Sequence, residues 1–168
     1  VQRIVSPLPE YLSNSHLVRS LDFWQPNDQV LSASTAKPEI TAKAACVYDI
    51  TDDKILYDKN SRERLPVASL TKIATAIVAL ESIDPDKIIT VSQNAATVGE
   101  DSMGLTTGER YSFEDLLYGL ILHSGNDASV AIAEDVGGSV TAFVEQMNQK
   151  VKILGLTDTM FVNPSGLT

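Results

Sequence analysis

Cysteine is nearly absent from this sequence, and so is histidine. Cys46 stands alone, so no internal disulfide can form and no Cys-x-x-Cys redox or zinc motif exists. His16 and His123 are the only histidines, too few for a multi-histidine zinc site unless several carboxylates join. Basic residues are scarce relative to acidic ones: 13 Lys and Arg against 22 Asp and Glu give a formal charge of −9. A chain this acidic lacks the basic face that binding to nucleic-acid phosphates requires, so no nucleic-acid partner is expected. Long apolar runs are missing too. The longest, Ile73 to Leu80, is interrupted by Thr75 and falls short of the roughly 18 residues of a membrane helix. The first 30 residues lack a basic start followed by an apolar core, so no signal peptide is visible. That leaves a cytosolic protein or one whose export signal has been removed.

What remains is an ordinary globular composition, 43% hydrophobic and 21% charged over 168 residues, enough for one domain. Residues 1–40 are polar, with Pro7, Pro9, Pro26 and Pro38, and read either as an extended arm or linker with one short helix near 14–22 or as a disordered tail. Residues 41–168 read as the folded part. Ala44–Ile50 and Lys54–Tyr57 read as strands joined by a turn at Thr51-Asp52-Asp53. Leu70, Ile73, Ala74, Ile77 and Val78 recur at helical spacing, predicting a helix from about Ser69 that stops before Asp84-Pro85. A second helix is predicted over 113–122, with Ser112 and Asp115 at capping-box spacing. Others follow over 127–136 and 141–154, the last closed by Gly155. Cys46, Tyr118 and Met147 are expected in the core. Two strands followed by a helical block are an unbalanced set, because a lone hairpin is marginally stable.

Two short motifs carry chemistry. Ser69-Leu70-Thr71-Lys72 is a Ser-x-x-Lys, a pattern expected about once by chance in a chain of this composition; Ser34-Thr35-Ala36-Lys37 is another copy. Context separates them, since Ser69 opens a strongly apolar helix and Ser34 lies in the polar arm before Pro38. At a helix start, free backbone N–H groups and the positive dipole end suit a developing oxyanion. Positions i and i+3 share a helix face, so the Lys72 amine can approach the Ser69 hydroxyl. A buried amine is neutral enough to act as its base. The bland alternative is a helix cap and a solvated lysine. The second motif is Ser124-Gly125-Asn126, in a tight break between two apolar helices, where Ser92-Gln93-Asn94 has no such setting. Its bland alternative is an interhelical turn. His123 has no acid partner and, as an immediate neighbour of Ser124, is expected to point away.

Pro66-Val67-Ala68-Ser69-Leu70-Thr71-Lys72 followed by Ser124-Gly125-Asn126-Asp127-Ala128 resembles the serine-type D-alanyl-D-alanine carboxypeptidases, the low-molecular-weight penicillin-binding proteins. Asp101–Leu105, Gly108-Glu109, Asp115–Leu120 and Phe161–Leu167 resemble that family's connecting segments, so the likeness covers about 41–168. It implies an α+β fold of the β-lactamase and penicillin-binding-protein transpeptidase kind, in which this chain supplies a helical block and the N-terminal hairpin of an antiparallel sheet. It implies Ser69 as acylated nucleophile, Lys72 as general base, Ser124 as proton relay and Asn126 as a ligand for the substrate's peptide backbone. The implied partners are peptidoglycan stem peptides ending in D-Ala-D-Ala and β-lactam antibiotics. No metal or organic cofactor is implied, and the site of action would be extracytoplasmic, in the periplasm or on the outer face of the bacterial membrane. The family's Lys-Thr/Ser-Gly motif does not occur in this sequence. The chain therefore reads as an N-terminal portion of the catalytic domain, completed by a C-terminal chain or segment and inactive alone. The alternatives are a D,D-endopeptidase of the same family and a non-catalytic binding or assembly module. A class A β-lactamase fits less well: Gly125 stands where those enzymes usually have Asp, and no Glu-x-x-Leu-Asn segment is found.

Overall fold

The computed structural model describes residues 38–167; the short helix near 14–22 and the Ser34–Lys37 motif lie outside them. The chain divides between Ser61 and Arg62 into two compact units. The first holds an antiparallel hairpin, β1 (Ala45–Asp49) and β2 (Lys54–Lys59), in register Ala45 to Lys59 and Asp49 to Lys54, with a bulge after Val47. Asp49 Oδ1 accepts the N–H groups of Thr51 (2.8 Å) and Asp52 (3.1 Å), which folds the turn, and Asp53 completes it at φ +54°. Preceding residues bind its far end: Lys59 Nζ donates to the Ile40 carbonyl (2.8 Å) and Asn60 Nδ2 to that of Lys43 (3.0 Å). Cys46 is exposed where the sequence suggested core, because a two-stranded ribbon leaves both faces open.

The second unit is mostly helical, in the order α1 (Thr71–Leu80), β3 (Ile88–Thr90), α2 (Gln93–Ala96), β4 (Arg110–Ser112), α3 (Phe113–Leu122), α4 (Asn126–Gly137) and α5 (Val140–Ile153). β3 and β4 pair antiparallel, Ile88 to Ser112 through Thr90 to Arg110. Helix α4 is central. Asn126 through Ala133 are all buried, so its first two turns are enclosed on every side, and it packs against α1, α2, α3 and α5. Phe113, Leu116, Leu120, Ile132, Phe143 and Met147 make the core around it. Removing either phenylalanine side chain from such a site costs about 3–5 kcal/mol.

The predicted helix ends match their local chemistry. Ser112 Oγ accepts the Asp115 N–H (3.1 Å) and donates to its carboxylate (2.6 Å), starting α3. Gly155, at φ +74°, closes α5: its N–H reaches the Lys152 carbonyl (3.0 Å) and that of Leu156 the Val151 carbonyl (2.9 Å), the two bonds of a Schellman cap. Tyr118 is 49% exposed, so it is not core, whereas Met147 is fully buried. Helix α1 buries a mixed face, Thr71, Lys72 and Thr75 together with Ala76, Val78 and Ala79, while Leu70 just before it and Ile73 and Ile77 on it are 64%, 52% and 40% exposed.

Candidate active site

Ser69 sits in a single 3₁₀ turn, Ala68–Leu70, that leads into α1. Ala68 before it has φ +45°, a conformation that costs a non-glycine residue about 1–3 kcal/mol and that clusters at functional sites. One turn further on, Lys72 Nζ lies 3.1 Å from Ser69 Oγ. From the break between α3 and α4, Ser124 Oγ comes within 3.1 Å of the same Ser69 oxygen. Ser124 is held at φ +59°, also strained. The Ser69 hydroxyl thus meets the Lys72 amine from its own helix and the Ser124 hydroxyl from 55 residues further along the chain. Asn126, the fourth candidate, opens α4 two residues after Ser124 and is 3% exposed; its Nδ2 donates to the Gly99 carbonyl (3.3 Å).

Lys72 is 2% exposed. Burial disfavours the ammonium and pulls its pKa below the ordinary lysine range, although the negative charge of Asp101 opposes the shift. Its Nζ also donates to the backbone carbonyl of Ser165 (3.1 Å), and Thr75, one turn along α1, donates to that of Pro164 (2.7 Å). Two successive carbonyls of the 163–167 turn therefore line the buried side of α1. Gly166 makes this approach possible at φ +81°, since a Cβ there would fall 1.9 Å from the Ala68 carbonyl oxygen. Gly166→Ala is accordingly expected to destabilise the fold by about 1–3 kcal/mol, read as a lower midpoint of thermal unfolding.

The Ser124 break is fastened from behind. Asn126 N donates to the Asp101 carbonyl (2.7 Å), and His123 Nε2 lies 2.8 Å from the Ser102 carbonyl. Asp127, fully buried, accepts four donors: Met103 N (3.0 Å) and Ala128 N (2.8 Å) on Oδ1, Ser102 Oγ (2.6 Å) and Leu105 N (3.0 Å) on Oδ2. Burial raises its pKa, but the bonds from Ser102, Leu105, Met103 and Ala128 outweigh that and leave it below the usual carboxylate value. Sequence reading picked out Ser69, Lys72 and Ser124, which converge, but not Thr75, Ser165 or the anchoring by Asp127. The Asn163-Pro164-Ser165-Gly166 run signalled a turn; nothing in it signalled that its carbonyls would meet α1.

A profile of the D-alanyl-D-alanine carboxypeptidase family, peptidase S11, matches residues 31–168. The D-alanyl-D-alanine carboxypeptidase DacF of Bacillus subtilis is 45% identical over 132 residues, which are 76% of this chain and 34% of that protein. Among solved structures, the D-alanyl-D-alanine carboxypeptidase DacD of Francisella tularensis superposes with a TM-score of 0.77 at 36% identity, over 92% of this chain and 37% of the other. Penicillin binding protein 5 of Haemophilus influenzae superposes with a TM-score of 0.74 at 35% identity, over 80% of this chain and 41% of the other. The chain spans about a third of the length of the first of the curated relatives it matches. The helices and small antiparallel sheets are thus part of the α+β fold expected from the motifs, and this chain belongs to the D-alanyl-D-alanine carboxypeptidase family, peptidase S11.

Proposed function

We propose that the protein carrying this sequence is a serine D,D-carboxypeptidase acting on peptidoglycan stem peptides that end in D-Ala-D-Ala. The observation that carries the reading is the 3.1 Å approach of Lys72 Nζ, buried and depressed in basicity, to Ser69 Oγ. An amine that holds its proton weakly can take the serine proton as the Oγ–C bond forms at the penultimate carbonyl. The C–N bond to the terminal D-Ala then breaks. Its amine leaves with a proton that Ser124, hydrogen-bonded to Ser69, passes across from Lys72. Water hydrolyses the resulting ester and restores the serine. Asn126 binds the substrate's peptide backbone through the second hydrogen of its amide, the first being given to Gly99. The Ser69 N–H supplies one oxyanion donor.

Residues 41–168 are the N-terminal portion of the catalytic domain in this reading. The missing Lys-Thr/Ser-Gly strand would carry the second oxyanion donor and a cation for the substrate carboxylate. One oxyanion donor alone is worth about 10²–10³ in rate, so the 168 residues by themselves turn over little or no substrate. The place of action is extracytoplasmic, where peptidoglycan is. Cleavage of cross-links by a D,D-endopeptidase would use the same residues.

The test is covalent. Incubated with benzylpenicillin, the protein carrying this sequence gains the mass of one penicilloyl group on Ser69, and Ser69→Ala gains none. An unmodified wild-type protein that also contains a Lys-Thr/Ser-Gly segment would overturn the enzymatic reading in favour of a binding or assembly module.

A further inference from the structure

The 163–167 turn does more than pack against α1. Asn163 Oδ1 accepts the N–H of Ser165 (3.1 Å) and of Gly166 (2.6 Å), and its Nδ2 donates to the Leu167 carbonyl (2.6 Å). In a trans peptide the N–H and C=O of one planar unit point in opposite directions. The unit that gives Asn163 the Ser165 N–H is the one whose Pro164 carbonyl goes to Thr75. The unit that gives it the Gly166 N–H is the one whose Ser165 carbonyl goes to Lys72. A single side-chain oxygen therefore grips the back of both peptide units whose fronts face α1.

We propose that Asn163 is a positioning residue of the acylation step: by orienting the Ser165 carbonyl it fixes the rotation of the Lys72 amine and keeps water from its buried side. This rests on Lys72 being the base of Ser69. A neutral amine has two hydrogens and one lone pair in tetrahedral directions. With one hydrogen committed to the Ser165 carbonyl, the lone pair can be turned toward Ser69 Oγ, which lies 3.1 Å away. Without that commitment the amine rotates freely and is hydrated. Ser165 is 6% exposed and Pro164 fully buried, so the turn is the wall on that side. Asp101 is the charged group that acts on Lys72 among the described residues, and it does so in wild type and variants alike.

The experiment measures the rate of penicillin acylation at Ser69 against pH, in the whole protein, for wild type and three variants, with thermal unfolding of each. Asn163→Ala releases both peptide units. Its plateau rate is expected to fall about 10–100-fold, the scale of a small misplacement of a reacting group. Its rising limb moves to higher pH as water reaches the amine. Asn163→Asp keeps an oxygen for both N–H groups. It should hold the plateau within about threefold of wild type by the same reasoning, with the limb raised by the added charge. Asn148→Ala is the control for general loosening. Asn148 binds the N–H and carbonyl of Phe161, two residues before the turn, at 2.8 Å each, and its loss should leave the limb in place. An unaltered rate and limb in Asn163→Ala, or an equal displacement in Asn148→Ala, overturns the assignment. Should the alanine variant not fold, a plateau lost in Asn163→Asp overturns it and a plateau kept supports it. A wild-type protein that penicillin does not acylate defeats the reading of the site itself, a result separate from any of these.

Discussion

Lys72→Met lowers the rate of penicillin acylation at Ser69 by about 10²–10⁴-fold, the range that positioned proton transfer contributes, while the variant unfolds at the same temperature as wild type or higher. The two halves of this expectation have one cause. Enclosing an amine at 2% exposure takes its charged form out of water, and the two partners it meets there, a serine oxygen and a backbone carbonyl, bear no formal charge. In the unfolded chain the same lysine titrates near 10.4. Its folded value is lower, so between the two values the unfolded state binds more protons and stability rises with pH. Below the folded value the protein holds a buried ammonium at full cost. Methionine, similar in length and apolar, removes that cost and the base together. The wild-type rate should rise with pH as the amine loses its proton and level off below the range of an ordinary lysine. The check is acylation kinetics across pH beside thermal unfolding. A methionine variant that acylates within a few-fold of wild type would show that Lys72 is not the base.

How far this could be read from the sequence depends on the range of the interactions. Helix α3 is set by Ser112, Asp115 and the Leu116–Leu120 face, all within one segment, and it runs over the predicted residues. The stop of α5 at Gly155 is equally local. On α1 the period was visible but its orientation was not. Leu70, Ile73 and Ile77 turn out to be its exposed members, whereas Lys72 and Thr75 point inward, where the 163–167 turn offers them carbonyl acceptors. Those acceptors are backbone atoms about 90 residues away, and backbone atoms leave no mark in a residue pattern. Strands β3 and β4, three residues each, are too short for alternation to register. Ser69 and Lys72 were legible because a helical turn brings i and i+3 together whatever else the chain does. That Ser124 completes the group rested on resemblance, since the 55 residues between it and Ser69 fix no distance.

Asp127 carries the largest expected effect on stability. Asp127→Ala removes the acceptor of four donors at once, leaving the Met103, Leu105 and Ala128 N–H groups and the Ser102 hydroxyl without it in a buried site. Each stranded buried donor costs about 1–3 kcal/mol, and partial relaxation of the 102–105 segment brings the expected total to about 3–5 kcal/mol. Asp127→Asn should lose less. Its oxygen can still serve Met103 and Ala128, but its NH₂ confronts the Leu105 N–H, and Ser102 Oγ, already accepting from Gly104 N (3.0 Å), must turn to receive it. The pH dependence separates charge from shape. The folded pKa of Asp127 is depressed, so its contribution is complete above the ordinary carboxyl value, about 3.9, and is lost as pH falls through the lower folded value. The stability gap between wild type and Asp127→Asn should therefore be constant near neutral pH and shrink in acid, as urea titrations at a series of pH values would show. The break at Ser124 is tied to the same residues through Asn126 N and the Asp101 carbonyl, and through His123 and the Ser102 carbonyl. Acylation should consequently slow in both variants even at temperatures where they remain folded. A variant as stable as wild type at neutral pH would mean that the 102–105 segment is held by something other than this carboxylate.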